Sequence, residues 1–233
     1  MLKKVLNTLI SSVKNESYTI DDRIPGGYLL RLSRVRIVMK LRGFLRFPGR
    51  AHPPFIGSGA VILCKKNITM GRGVTIGEKA YIDALSTDGI RLGNNVSVGK
   101  NTRIECTGNL RHLGKGLSVG DDVGLGTDNF FGCAGGIEIG SDTIIGNFVS
   151  FHAENHNFSR LDVPIRLQGV NHRGIRIGNN CWIGAKCTIL DGAVIEDGCI
   201  IAAGALVREN VYAKNGIYGG VPAKLIKYRV HED

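Results

Sequence analysis

No run of eighteen uncharged apolar residues occurs in this 233-residue chain, so no membrane-spanning helix is expected. The start, MLKKVLNTLISSVKNE, has a lysine pair but neither a continuous apolar centre nor a small-residue cleavage site, so no signal peptide is expected. The six cysteines form no Cys-x-x-Cys pair, which argues against a zinc ribbon or a thioredoxin-like site. Aromatic residues are scarce, at 6%. None forms a stacking platform beside the basic segments, which argues against a nucleic-acid partner. Acidic residues are missing altogether between Asp22 and Glu78, while Lys and Arg crowd LLRLSRVRIVMKLRGFLRFPGR. The net charge of +10 is therefore unevenly placed. Such a cluster suits an anionic partner, and a solvated basic face explains it equally well.

What the chain has in quantity is a six-residue beat. IGEKAY, LGNNVS, VGKNTR, VGDDVG, LGTDNF, IGSDTI and IGNFVS are followed, after a gap, by IGNNCW, IGAKCT, ILDGAV, IEDGCI, IAAGAL and VRENVY. An aliphatic residue opens each hexad, a small residue usually follows, and the fifth place is commonly Ala, Val, Thr or Cys. Side chains alternate faces along a strand, so a short strand, a turn and another short strand give one flat side per hexad. The first and fifth residues then point inward across the corner. Three sides close a triangular coil of roughly eighteen residues, stacked at about 4.8 Å. Asn and Asp serve the turns because they tolerate left-handed backbone angles. Cys181, Cys187 and Cys199 fall on this beat and read as small core-filling residues. A helical solenoid or a sandwich fits such short, regular strands poorly.

The beat over residues 56–212 is disturbed between Ile82 and Leu92, at 108–116 and at 129–136. Its largest break lies between Asn155 and Ile175, where VSFHAENHNFSR brings two histidines, a glutamate and two asparagines. Insertions in solenoids are surface loops, often on the binding face. The expected organisation is a basic N-terminal cap region (1–55), a solenoid (56–212) with a loop insertion at 157–174, and a C-terminal cap (213–233). Within the first region Leu2, Val5, Leu6, Leu9, Ile10 and Val13 share one helical stripe. Residues 34–46 alternate basic and apolar, leaving strand and helix both open.

IRIGNNCWIGAKCTILDGAVIEDGCIIAAGALV, followed by YGGVPAKLIKYR, closely resembles the hexapeptide-repeat acyltransferases that use acetyl-coenzyme A. AENHNF, the loop LDVPIRLQGV and the CWIGA coil are similar to the sugar O-acetyltransferases of polysaccharide biosynthesis. The resemblance covers about residues 56–229. It implies an all-β solenoid, a left-handed parallel β-helix with a helical or extended N-terminal cap, a protruding loop and a short C-terminal helix. It further implies a homotrimer with acetyl-donor sites between subunits and no resident metal.

In that family the histidine just before the extended loop is the catalytic base, and the position falls on His156. An imidazole can take the proton of a sugar hydroxyl as it attacks the thioester, a contribution of roughly 100 to 10,000-fold. Glu154 is a candidate to orient or charge-stabilise the ring; a backbone carbonyl could do so equally well. Ala185, Ala203 and Gly204 match the small residues along which the pantetheine arm lies. Trp182 matches a tryptophan beside the acetyl end, or simply covers a coil corner. Arg208 replaces a common Thr and is a candidate phosphate contact. Lys224 and Lys227 match basic positions facing the coenzyme's phosphates. Asp128, Asn129, Gln168 and His172, with Asn171 beside them, are candidate contacts to the sugar. Alternatives are an amino-sugar amine, serine or a small xenobiotic as acceptor. His152, His156 and His172 also allow a zinc-dependent protein like the γ-carbonic anhydrases, and a non-enzymatic scaffold would share the fold. The expected setting is cytoplasmic, with the basic N-terminal region resting on the inner membrane surface near a lipid-linked glycan.

Overall fold

The structure, a computed structural model, describes residues 2–14 and 17–230. Its body is a coil of short parallel strands with three faces. On the second face the inward positions stack as Ile62, Ile82, Ile104, Phe131, Phe151, Ile189 and Val207. The rings of Phe131 and Phe151 lie 4.5 Å apart and nearly parallel. On the third face one inward column runs Met70, Leu92, Val119, Ile139, Ile177, Ile195 and Tyr212. The first face joins Thr75, Ser97, Gly124, Ile144, Trp182, Ile200 and Ile217 in register, on its outer side. Register steps range from seventeen residues at the last coil, Ile200 to Ile217, through eighteen, Trp182 to Ile200, to thirty-eight, Ile144 to Trp182. Eighteen is the bare coil, and the remainder is insertion.

The six-residue beat maps onto this prism as expected. Every aliphatic residue that opens a quoted hexad is buried, from Ile76 to Val207. The fifth places are buried too, with Cys181, Cys187 and Cys199 inside. Val211 alone departs, because Tyr212 turns inward and its hydroxyl bridges the backbone N–H and C=O of Arg208. The small residue in second place has a steric cause. A Cβ on Gly77 would lie 2.6 Å from the carbonyl carbon of Gly99, and one on Gly140 2.6 Å from that of Gly178. Polar turns stack as well: Asn95 donates to Asp122 and Asn101 to Asp128, each at 2.8 Å, from left-handed backbone positions.

The insertions share one edge. Between the second and third faces the connections are 64–67, 84–89, 106–116, 133–136, 153–174, 191–192 and 208–209. The other two corners keep four residues, from 57–60 in the first coil to 202–205 near the last. The length variation therefore projects from a single edge of the prism. The longest insertion is a hairpin arm, with Asn155–His156 antiparallel to Val170–Asn171.

The ends are closed differently. Helix α1 spans Leu2–Lys14 and α2 spans Gly26–Arg46, so residues 34–46 are helical. The side chains of Leu2, Leu9 and Val13 in the expected stripe lie outside the described residues. α2 lies against the first face, where Gly43 passes so close to the Pro54 carbonyl that no side chain fits. Phe47, buried, plugs the first coil. At the other end the expected C-terminal helix is instead a strand. Lys224–Tyr228 pairs antiparallel with Gly216–Gly219, so it fills hydrogen-bonding positions a helix would leave open on the last coil.

Candidate functional site

His156 stands on the root of the arm, exposed, and directly across from Val170. Alternation puts Glu154, His156, Val170 and His172 on one side of the hairpin and Asn155 and Asn171 on the other. The first side looks toward a pocket of about 230 Å³ lined by Glu154, Val170 and His172, with Asn109, His112 and Leu113 from the 106–116 connection. The second side is clamped to the coil. Asn155 Nδ2 donates to Asp191 Oδ2 at 3.2 Å, and the backbone N–H groups of Arg173 and Gly174 donate to the same carboxylate at 2.8–2.9 Å. Asp191 is buried and ties both strands of the arm to the next coil. The sequence reading missed it, since LDG looks like one more turn.

Glu154 and His156 share a side but make no hydrogen bond or ion pair with each other, so the structure does not show Glu154 orienting the ring. His152 is on a different surface, the outside of the second face. Its ring is tilted against Phe130, 5.6 Å between centroids, and burial lowers its pKa. Among the described residues no three His, Cys, Asp or Glu side chains converge as metal ligands.

Several candidate sugar contacts have other work. Asn129 is buried, with Nδ2 donating to the carbonyls of Leu125 (2.7 Å) and Gly146 (2.8 Å) and Oδ1 accepting from Val149 N–H at 2.7 Å. It is the fifth residue of LGTDNF and belongs to the core, not to a sugar site. Asp128 holds a corner by accepting from Asn101. Gln168 donates to the carbonyls of Arg160 and Val163 and accepts from Arg160 N–H, so its amide staples the arm internally. Asn171 donates to Asn157 at 2.5 Å. Of the set, only His172 faces the pocket.

The residues matched to the donor lie elsewhere. Trp182 is 55% exposed beside Ile144 on the outer first face. Ala185 and Ala203 are consecutive steps of the corner between the first and second faces. The Gly204 N–H donates to the Ala185 carbonyl at 2.9 Å, and no atom lies within 4 Å of where a Gly204 Cβ would stand. Lys224 and Lys227 sit exposed on the terminal strand. Arg208 is at the arm's edge instead, next to Glu209, which pairs with Arg173. One chain therefore presents the imidazole on one edge and the small-residue track on another, with the second face between them.

The cysteines offer no nucleophile beside the arm or the track. Cys106, Cys133, Cys181, Cys187 and Cys199 are buried, and burial holds the Cys181 thiol at about 11. Cys64 is exposed but belongs to the first coil, well before the coil that bears the arm. Thiolate is the reactive form, so a cysteine acyl-intermediate has no support here.

Residues 174–209 match the family described as "Bacterial transferase hexapeptide (six repeats)". The Mycobacterium tuberculosis protein named "Probable acetyltransferase Rv3034c" is 32% identical over 137 residues, covering 58% of this chain. The chain spans only 39% of that relative's length. A point mutant of AntD, an N-acyltransferase from Bacillus cereus, in complex with dTDP and coenzyme A superposes with a TM-score of 0.56. It is 22% identical, with 75% of this chain and 86% of that one covered. Another AntD mutant, with dTDP-4-amino-4,6-dideoxyglucose and coenzyme A, gives a TM-score of 0.51 at 18% identity over 82% and 89%. By its repeat and its three-faced parallel coil, the chain has a left-handed β-helix fold, and its residues 174–209 carry the bacterial transferase hexapeptide repeat.

Proposed function

We propose that this chain transfers an acetyl group from acetyl-coenzyme A to a sugar hydroxyl of a cell-surface polysaccharide or its lipid-linked precursor, with His156 as general base. The observation that carries the reading is an exposed imidazole on the arm, on the same side as a pocket lined by Glu154, His172 and His112. The hydroxyl oxygen attacks the thioester carbonyl as His156 takes its proton. The C–S bond then breaks, and the proton passes to the departing thiolate, leaving an ester and free coenzyme A. Transfer is direct, in keeping with the burial of every cysteine near the arm and the small-residue track.

The separation of imidazole and small-residue track supports a site completed by a second copy. In this reading the chain forms a homotrimer. Trp182, Ala185, Ala203, Gly204, Lys224 and Lys227 of one protomer hold the donor, and the arm of its neighbour brings His156 to it. The amine reading stays in the test because AntD, of the same fold, is an N-acyltransferase crystallised with an amino-sugar nucleotide.

The decisive experiment follows release of free coenzyme A across a panel of sugars, amino-sugars and serine, with His156→Ala alongside. The variant is expected to retain acetyl-coenzyme A binding and to lose about 100 to 10,000-fold in turnover. Undiminished turnover rejects His156 as the base, and turnover confined to amines rejects the hydroxyl acceptor.

A further inference from the structure

α2 buries Leu29 and Gly43, and cations share its contact with the solenoid. The Arg36 guanidinium lies 3.9 Å from the centre of the Phe55 ring and donates to Thr75 Oγ1 at 3.1 Å. Lys40 lies 4.7 Å over the same ring and donates to the Pro53 carbonyl at 2.5 Å. Leu30, Ile37, Leu41 and Phe44, at i, i+7, i+11 and i+14, fall on one outer side. All four are exposed, and Leu45 beside them is 76% exposed. On the flank of that stripe Arg31, Arg34 and Arg42 line a groove of about 750 Å³ between α2 and the first face, with Val35 and Val38 among the apolar lining. None of the three arginines pairs with a carboxylate among the described residues; no acid occurs in residues 23–77, and Glu78 on the first-face wall of the groove pairs with Lys100 at 3.9 Å.

Whatever covers this side of α2 must be apolar opposite the stripe and anionic opposite the arginines. A second copy docking by the same side would set Arg31, Arg34 and Arg42 against their own counterparts, which is repulsive. The helix is too charged to cross a bilayer, and no helix among the described residues is long and apolar enough to do so. A helix with an apolar stripe and a basic flank lies in the plane of a membrane interface. Arginine stems run along apolar surface while their heads reach phosphate.

We infer that the outer side of α2 docks on an anionic lipid bilayer, with Leu30, Ile37, Leu41, Phe44 and Leu45 at the acyl boundary and Arg31, Arg34 and Arg42 on lipid phosphates. Gly43 against the Pro54 carbonyl and Arg36 on Phe55 hold the helix to the coil, so docking places the whole solenoid at the surface. The inference stands on the helix alone and does not depend on the acyl-transfer reading.

The test is co-sedimentation of the full chain with vesicles of phosphatidylcholine alone or mixed with phosphatidylglycerol, at low and high salt. Binding to the mixed vesicles is expected to exceed binding to phosphatidylcholine by about tenfold or more and to weaken with salt. Leu41→Asp with Phe44→Asp, and separately Arg31→Glu with Arg34→Glu, should each lower it about tenfold or more, with circular dichroism and sedimentation mass unchanged. Wild-type indifference to phosphatidylglycerol overturns the inference, as does equal binding by the arginine variant. So does a fall in sedimentation mass for the Leu41/Phe44 variant, which would assign the stripe to contact between copies.

Discussion

Two corners of the coil keep four residues turn after turn, while the third ranges from 191–192 to 153–174. At the regular corners backbone rides on backbone, with glycines beneath the turns and Asn–Asp ladders outside. An added residue there would displace every later coil. At the third corner the longer connections leave the stack, so their length costs the core little, in line with the slow growth of loop-closure entropy. The same edge carries the pocket lined by Glu154 and His172, and His156. A solenoid of this kind keeps its structural and its chemical demands on separate edges.

The sharpest way to break the comparison is to add one methyl at each kind of corner. Gly140→Ala would place a Cβ 2.6 Å from the Gly178 carbonyl carbon. A cost of roughly 3 kcal/mol is expected, the upper end of overpacking penalties. Gly108→Ala, on the variable edge, meets only the flexible end of Glu154 at 3.6 Å and should leave stability within about 0.5 kcal/mol of the parent. Urea unfolding of the two variants measures the contrast. Equal losses would mean that the third edge is as tightly packed as the others.

The regular corners are also what the sequence made legible. The first and fifth places of the hexads are buried because strand alternation and corner geometry act within six residues, and a six-residue comparison is enough to see them. Asn129 shows the rule being overlooked: it occupies a fifth place, so the beat itself puts it inside. The irregular edge was legible as an interruption and in its histidine, but not in its contacts. Asp191 receives donors from residues 155, 173 and 174, and no local pattern links those positions. Residues 34–46 are ambiguous in sequence because α2 turns Arg36 and Lys40 toward the coil and Ile37, Leu41 and Phe44 outward, which spoils amphipathic reading. The C-terminal strand was misjudged because its pairing is set by the exposed last coil, not by its own composition.

Asp191 gives a second, smaller contrast. Asp191→Ala leaves the Arg173 and Gly174 N–H groups and the Asn155 amide without their acceptor. Removing one such partner typically costs about 1–3 kcal/mol. The loss should be local, with amide hydrogen exchange rising in 155–174 while strands on the first face keep their protection. Turnover should fall together with arm order. A uniform rise in exchange across all three faces would show that the carboxylate supports the coil as a whole and not the arm.

The smallest effect concerns His152, which sits on a regular face one step from the variable edge. Partial burial lowers its pKa below the ordinary 6.5, with the Phe130 ring beside it, so the unfolded chain takes up this proton more readily than the folded one. Stability from this group is therefore complete above pH 6.5 and declines as the pH falls from there toward the depressed folded value. His152→Gln removes that dependence, and the carboxylates common to both proteins cancel in the comparison. Unfolding free energies measured by urea at about pH 7.5 and about pH 5 should then differ less for the variant than for the parent. Identical pH slopes would show that the ring is solvated in solution and that the second face is looser beside the arm than Phe130 and its neighbours suggest.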